Sequence, residues 1–191
     1  MGSFYTNITV RTADTDNVAA AVRQANRTAL IAPPENDATV VFDEASEQQD
    51  VEVLRALAQH LSRACKCPAL AILNHDDDVL VYLLYDAGKL VDEYNSAPGY
   101  FDSDGDPDTP PSGGDAERLA EAFGVPDRAD DVERILRTDG TEDDEFVFAM
   151  DRHRALAMAL GLPDTAVGAG FNYLEEGEVP EGLDVAALRR V

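Results

Sequence analysis

The chain has no tryptophan, two cysteines, three histidines and three methionines in 191 residues. Its cysteines, Cys65 and Cys67, stand one residue apart and cannot staple distant parts of a fold, which excludes a disulfide-framed secreted domain. A reducing cytoplasm is the expected location. No apolar run approaches the ~20 residues that a membrane-crossing helix needs. Met1 to Thr6 lacks the basic start and apolar stretch of a secretory signal. There is no basic, aromatic-studded stretch of the kind that holds single-stranded nucleic acid. Also missing are a phosphate loop, a Gly-x-Ser-x-Gly elbow and a His-Glu-x-x-His helix. Gly168-Ala169-Gly170 is a two-glycine turn, well short of a dinucleotide fingerprint. No internal repeat is visible, and no signature marks a known family.

What the chain has in excess is acid. Asp and Glu number 38 against 15 Lys and Arg, a formal charge of −23. Asp102 to Asp151 alone carries 12 Asp and 5 Glu against 4 Arg, more than half of that charge in about a quarter of the chain. Such a field repels nucleic acid and anionic membranes and attracts cations or a basic protein. The bases are 13 Arg to 2 Lys and the acids 24 Asp to 14 Glu, a bias that a GC-rich genome or adaptation to high salt also produces. An apolar share of 45% is ordinary for a folded globular chain.

Hydrophobic spacing predicts the elements. Phe4 to Arg11 alternates as a strand. Asp14-Thr15-Asp16 offers capping oxygens to a helix carrying Val18, Val22, Ala25 and Ala29. Pro33-Pro34 ends that segment, and Thr39 to Phe42 is a short β-rich run. Val53, Leu54, Leu57, Leu61 and Ala64 then make a helical stripe, closed by Pro68. Ala69–Leu73, Val79–Tyr85 and Leu90–Tyr94 read as strands joined by hairpin loops. Helices follow at Asp115–Phe123 and Asp130–Arg137. Phe146 to Leu160 fits one long helix capped by Thr141, or a short strand at Phe146–Phe148 followed by a helix capped by Asp151; the consecutive large apolar residues favour the second. A short aromatic run, Phe171 to Leu174, lies in the Gly-rich tail.

These elements predict an α+β fold. An N-terminal antiparallel or mixed sheet carries two packed helices on one face, and a mostly helical C-terminal portion follows. The expected divisions are residues 1–95, an acidic Pro/Gly loop at 96–114, and 115–191, the last of which shares a core with the first or forms its own.

Candidate chemistry centres on Asp102, Asp104, Asp106, Asp108 and Asp115. Clustered loop carboxylates suit calcium or another hard cation. Aligning Asp104 with position one of a calcium loop sets Asp106, Asp108 and Asp115 at positions three, five and twelve. Thr109 then stands where glycine is required, and Asp115 where a longer glutamate is usual. The commoner state of such a run is a solvated acidic loop. A second cluster, Asn74-His75-Asp76-Asp77-Asp78, has metal-ligating residue types at a spacing that better fits a hairpin loop. His60, Cys65, Cys67 and His75 have the softness zinc prefers but not its usual cysteine spacing. Asp151-Arg152-His153-Arg154 is a dense basic spot, best explained by pairing with the acids before it. Loop aromatics at Tyr100-Phe101 and Phe171-Asn172-Tyr173 are candidate interface anchors or lids over the core.

The expectation is a non-catalytic acidic interaction protein for a basic partner, in the manner of an inhibitor or immunity-type protein, with no cofactor. The alternative is a calcium-binding module or metal-dependent hydrolase built on the 102–115 cluster.

Overall fold

The computed structural model describes residues 2–101, 105–106, 109–138, 146, 148–180 and 183–191. Among these, eight strands form one sheet, antiparallel at every pairing: β1 (Tyr5–Val10), β2 (Ala29–Ile31), β3 (Thr39–Asp43), β4 (Ala69–His75), β5 (Val79–Asp86), β6 (Lys89–Asn95), β7 (Ser112–Gly113) and β8 (Arg189–Arg190). Their order across the sheet is β7-β6-β5-β4-β1-β3-β2-β8. The helices are α1 (Thr15–Gln24), α2 (Val51–Cys65), α3 (Ala116–Phe123), α4 (Ala129–Arg137), α5 (Ala149–Leu160) and α6 (Phe171–Glu176). The fold is α+β, as expected.

Local chemistry accounts for the helix starts. Asp14 accepts the Asn17 N–H, Asp50 those of Glu52 and Val53, and Asp115 that of Arg118, so three helices begin at a capping carboxylate. Each such cap contributes about 1 kcal/mol. The hairpin between β4 and β5 turns through Asp76 and Asp77, both left-handed at φ 55° and 60°, a conformation Asp tolerates better than most residues.

The two N-terminal helices share one face of the sheet, as expected, and the C-terminal helices cover the other. Ile8, Val10, Ala71, Leu73, Leu83 and Tyr85 pack on α1 and α2. Their alternates Tyr5, Leu70, Ile72, Leu80, Tyr82 and Leu84 pack on α3, α4 and α5. Beyond β1, Leu30, Val40 and Phe42 meet Ala166, Ala169, Phe171 and Leu174. The sheet is therefore covered on both sides, and β1 and β5 are buried nearly throughout because neither face meets water. The sheet also draws β7 and β8 from beyond residue 95. Both edge strands are two residues long, which leaves little unpaired backbone.

Of the strand expected at Phe146–Phe148, the described residues Phe146 and Phe148 belong to no strand. Phe146 is buried against the α3–α5 side of the sheet, and Phe148 is extended but unpaired and precedes the first residue of α5. Asp151 lies within the first turn of that helix and does not cap it. Val147 and the alternative cap Thr141 lie outside the described residues. The aromatic run Phe171–Leu174 is helical.

Candidate functional site

Of the five carboxylates proposed for calcium, Asp102, Asp104 and Asp108 lie outside the described residues. The Asp106 carbonyl accepts the Thr109 N–H at 3.0 Å. Asp115 is occupied as a helix cap: Oδ1 accepts the Arg118 N–H at 3.0 Å, and Oδ2 is 3.5 Å from the Arg118 guanidinium. Its own N–H donates to Asp92 Oδ2, which also accepts the Tyr82 hydroxyl. Among the described residues no three His, Cys, Asp or Glu side chains converge to hold a metal ion. His60, Cys65, Cys67 and His75 do not form a zinc set. His60 binds the Ala21 carbonyl at 3.0 Å, tying α2 to α1, while His75 sits at the far end of β4 from the cysteines.

The three acids of the β4–β5 turn face three different partners. Asp76 Oδ1 accepts the Gly2 N–H and Asp77 Oδ2 the Ser3 N–H, each at 3.0 Å. Asp77 Oδ1 also accepts the Asn74 amide, and Asp78 Oδ2 accepts the Tyr100 hydroxyl at 3.1 Å. The turn thus holds down the N-terminal segment and the loop after β6.

That anchoring assembles an aromatic patch. The His75 ring is met edge-on by Phe4 at 4.9 Å, Phe101 at 5.0 Å and Tyr100 at 5.9 Å between centroids. Tyr100 and Phe101 meet each other at 5.1 Å. His75 Nδ1 is 3.2 Å from Gln49 Oε1 and donates to it, which fixes the plane of the imidazole. Phe4, Tyr100 and Phe101 remain 38, 42 and 59% exposed, so the patch faces solvent.

An open cleft of about 990 Å³ adjoins the patch through the N-terminal segment. Gly2 and Ser3 line it, with Arg154, Met158, Tyr173, Asp164 and Glu178. The next residue, Phe4, donates its N–H to the Tyr173 hydroxyl at 3.0 Å while its ring packs on His75. Arg154 is drawn toward Asp151 at 3.3 Å, so Asp164 and Glu178 leave the lining with an acidic balance. Below the lining residue Gly168 lies a buried pair. Tyr5 Oη is 2.8 Å from His153 Nδ1. Burial, aided by the Arg154 cation, holds His153 down at about 3, far below the ordinary imidazole value, and pushes the Tyr5 phenol up. The imidazole is neutral, and the pair supports the cleft from beneath.

The other members of the basic spot turn inward. Arg152 is buried, donating to the Ile135 and Thr138 carbonyls and stacking over Phe146 at 5.5 Å. A smaller groove of about 380 Å³, lined by Glu117, Glu121, Asp127 and Asp130, is acidic but has no aromatic lining residue.

Tyr100 and Phe101 stood out in the sequence as loop aromatics, whereas Phe4 read as part of a strand and His75 as part of a turn. Their meeting joins residues about 70 and 100 positions apart along the chain, which no local pattern encodes. Phe171, the other candidate anchor, is buried in the core. Comparison with known protein families, with curated proteins and with solved structures finds no match for this chain.

Proposed function

We propose that this protein is a non-catalytic binder of a basic protein partner, which it receives on the Phe4/His75/Tyr100/Phe101 patch and the adjoining cleft. The observation that carries the reading is the solvent-facing aromatic cluster packed around His75 and rimmed by the acidic Asp76–Asp78 turn. Exposed aromatic clusters are frequent energetic centres of interfaces. Aromatic faces attract Arg and Lys by cation–π contact, and flanking carboxylates add charge complementarity. The net charge of −23 speeds encounter with such a partner. Asp164 and Glu178 in the cleft suit a basic side chain reaching past Phe4.

The test is an amide-resonance titration with a short arginine-rich peptide. The reading expects the largest shifts at Phe4, His75, Tyr100 and Phe101, with lesser shifts along the cleft. Shifts concentrated on Glu117, Glu121, Asp127 and Asp130 would replace it with non-specific attraction to that acidic groove.

A further inference from the structure

His75 stands at the centre of the aromatic patch with its ring held from several sides. Nδ1 donates to Gln49 Oε1 at 3.2 Å, and Gln49 ends the short helical turn Ala45–Gln48 in the left-handed conformation, at φ 60° and ψ 26°. Phe4, Tyr100 and Phe101 bracket the imidazole, their ring planes crossing it at 72 to 85°. The ring cannot turn over without breaking the Gln49 bond and displacing these neighbours. A neutral imidazole carries one hydrogen, so once Nδ1 holds it, Nε2 is an acceptor. Nε2 has no hydrogen-bond partner among the described residues. Unlike Nε2 of His153, it is not sealed from solvent. The carboxylates of the adjoining turn are already engaged. Asp76 holds Gly2, Asp77 holds Ser3 and Asn74, and Asp78 holds Tyr100. A lone acceptor, fixed in direction, thus sits among exposed aromatic rings.

On the reading that this patch receives a basic partner, we propose that His75 Nε2 accepts an N–H from an arginine side chain of that partner. His75 is then the residue that separates a hydrogen-bonding cation from one offering charge alone. A guanidinium suits both parts of the patch. It is planar, so its face lies on an aromatic ring while an N–H in its own plane points at Nε2. Phe101, at 59% the most exposed of the three rings, offers it the widest surface. A lysine ammonium also donates, but it is more strongly hydrated and has no face to stack. A trimethylated lysine keeps the charge and the attraction to the rings but has no N–H. Its methyl groups would cover Nε2 and leave that acceptor without water or partner, which costs affinity.

The experiment titrates two peptides of equal length and charge into the isotope-labelled full chain at neutral pH. One is arginine-rich, and in the other trimethyllysine replaces every arginine. The ring nitrogens of His75 are followed together with the backbone amides. Before peptide is added, the expected spectrum shows hydrogen on Nδ1 and a bare Nε2. The arginine peptide is expected to move the Nε2 resonance and to bind about tenfold tighter than its counterpart. Hydrogen on Nε2 in the free protein, the state that a reversed Gln49 amide would impose, would overturn the proposal. Equal affinity for the two peptides with an unmoved Nε2 would do the same. In both cases shifts at the Phe4, Tyr100 and Phe101 amides would leave the patch standing as the binding site. Amides that stay still with both peptides would overturn that binding reading, and the role of His75 with it. All of these readouts use the wild-type chain, so none depends on a variant that folds.

Discussion

Tyr5 and His153, 148 positions apart, share a buried hydrogen bond of 2.8 Å that ties the first strand to α5. The imidazole is neutral, so one member of the pair donates across this contact and the other accepts. Nε2 is buried without a hydrogen-bond partner among the described residues. Tyr5→Phe leaves Nδ1 without its partner as well. The expected loss is about 1–3 kcal/mol in urea unfolding. A loss below about 0.5 kcal/mol would show that the bond contributes little.

The same histidine gives a pH dependence of definite sign. Its folded value of about 3 lies below the ordinary 6.5, so its contribution is complete above about pH 6.5 and is lost as pH falls toward 3. Within that window the unfolded chain takes up a proton that the folded chain refuses, a loss of about 1.4 kcal/mol per pH unit. Asp43 and Glu47 work in the opposite sense. Burial raises both carboxyls, so the stability each contributes is present at low pH and lost as pH rises through its folded value. Comparing wild type with His153→Gln from about pH 7.5 to about 5 isolates the histidine. The wild-type curve is expected to fall more steeply; parallel curves would contradict the assignment.

Glu47 fastens α6 to the sheet. Oε1 accepts the Thr6 N–H at 3.3 Å and the Thr6 hydroxyl at 3.1 Å, while Oε2 is 3.5 Å from the Asn172 N–H. Gly170 has no side chain because a Cβ there would come within 2.7 Å of that carboxylate. Glu47→Ala is expected to cost about 1.5–3 kcal/mol and to speed hydrogen exchange at Phe171 and Asn172. Unchanged exchange there would mean α6 is held by packing alone.

Asp115 separates a structural carboxylate from a metal ligand. As a helix cap, its replacement in Asp115→Ala is expected to cost about 1 kcal/mol, equally in calcium and in chelator at matched ionic strength. A larger loss in calcium than in chelator would restore the calcium reading of the acidic run.

How far the sequence carried the fold depended on the range of the interactions. The caps at Asp14, Asp50 and Asp115 are local, and two of them, Asp14 and Asp115, stand where the helix signals begin. The three hairpin strands β4 to β6 were legible from their apolar runs. Strands β2, β7 and β8, of two or three residues, have no pattern of their own and exist through pairing with partners elsewhere. The unbroken apolar run Val79–Tyr85 already held the sign of a sheet covered on both faces. The aromatic patch depends on Asp76 and Asp77 pinning the N-terminal segment, a link that no sequence window spans.

The most direct measurement of the proposed function is the dissociation constant of a labelled arginine-rich peptide for three proteins at equal ionic strength. These are wild type, Phe101→Ala, and a variant with Asp127→Asn and Asp130→Asn in the aromatic-free groove. Circular dichroism establishes that all three are folded. Phe101→Ala, which changes no charge, is expected to weaken binding about tenfold or more, while the double Asn variant changes it less than about threefold. Affinity that follows net charge alone, with Phe101→Ala matching wild type, would mean that the aromatic patch does not receive the partner.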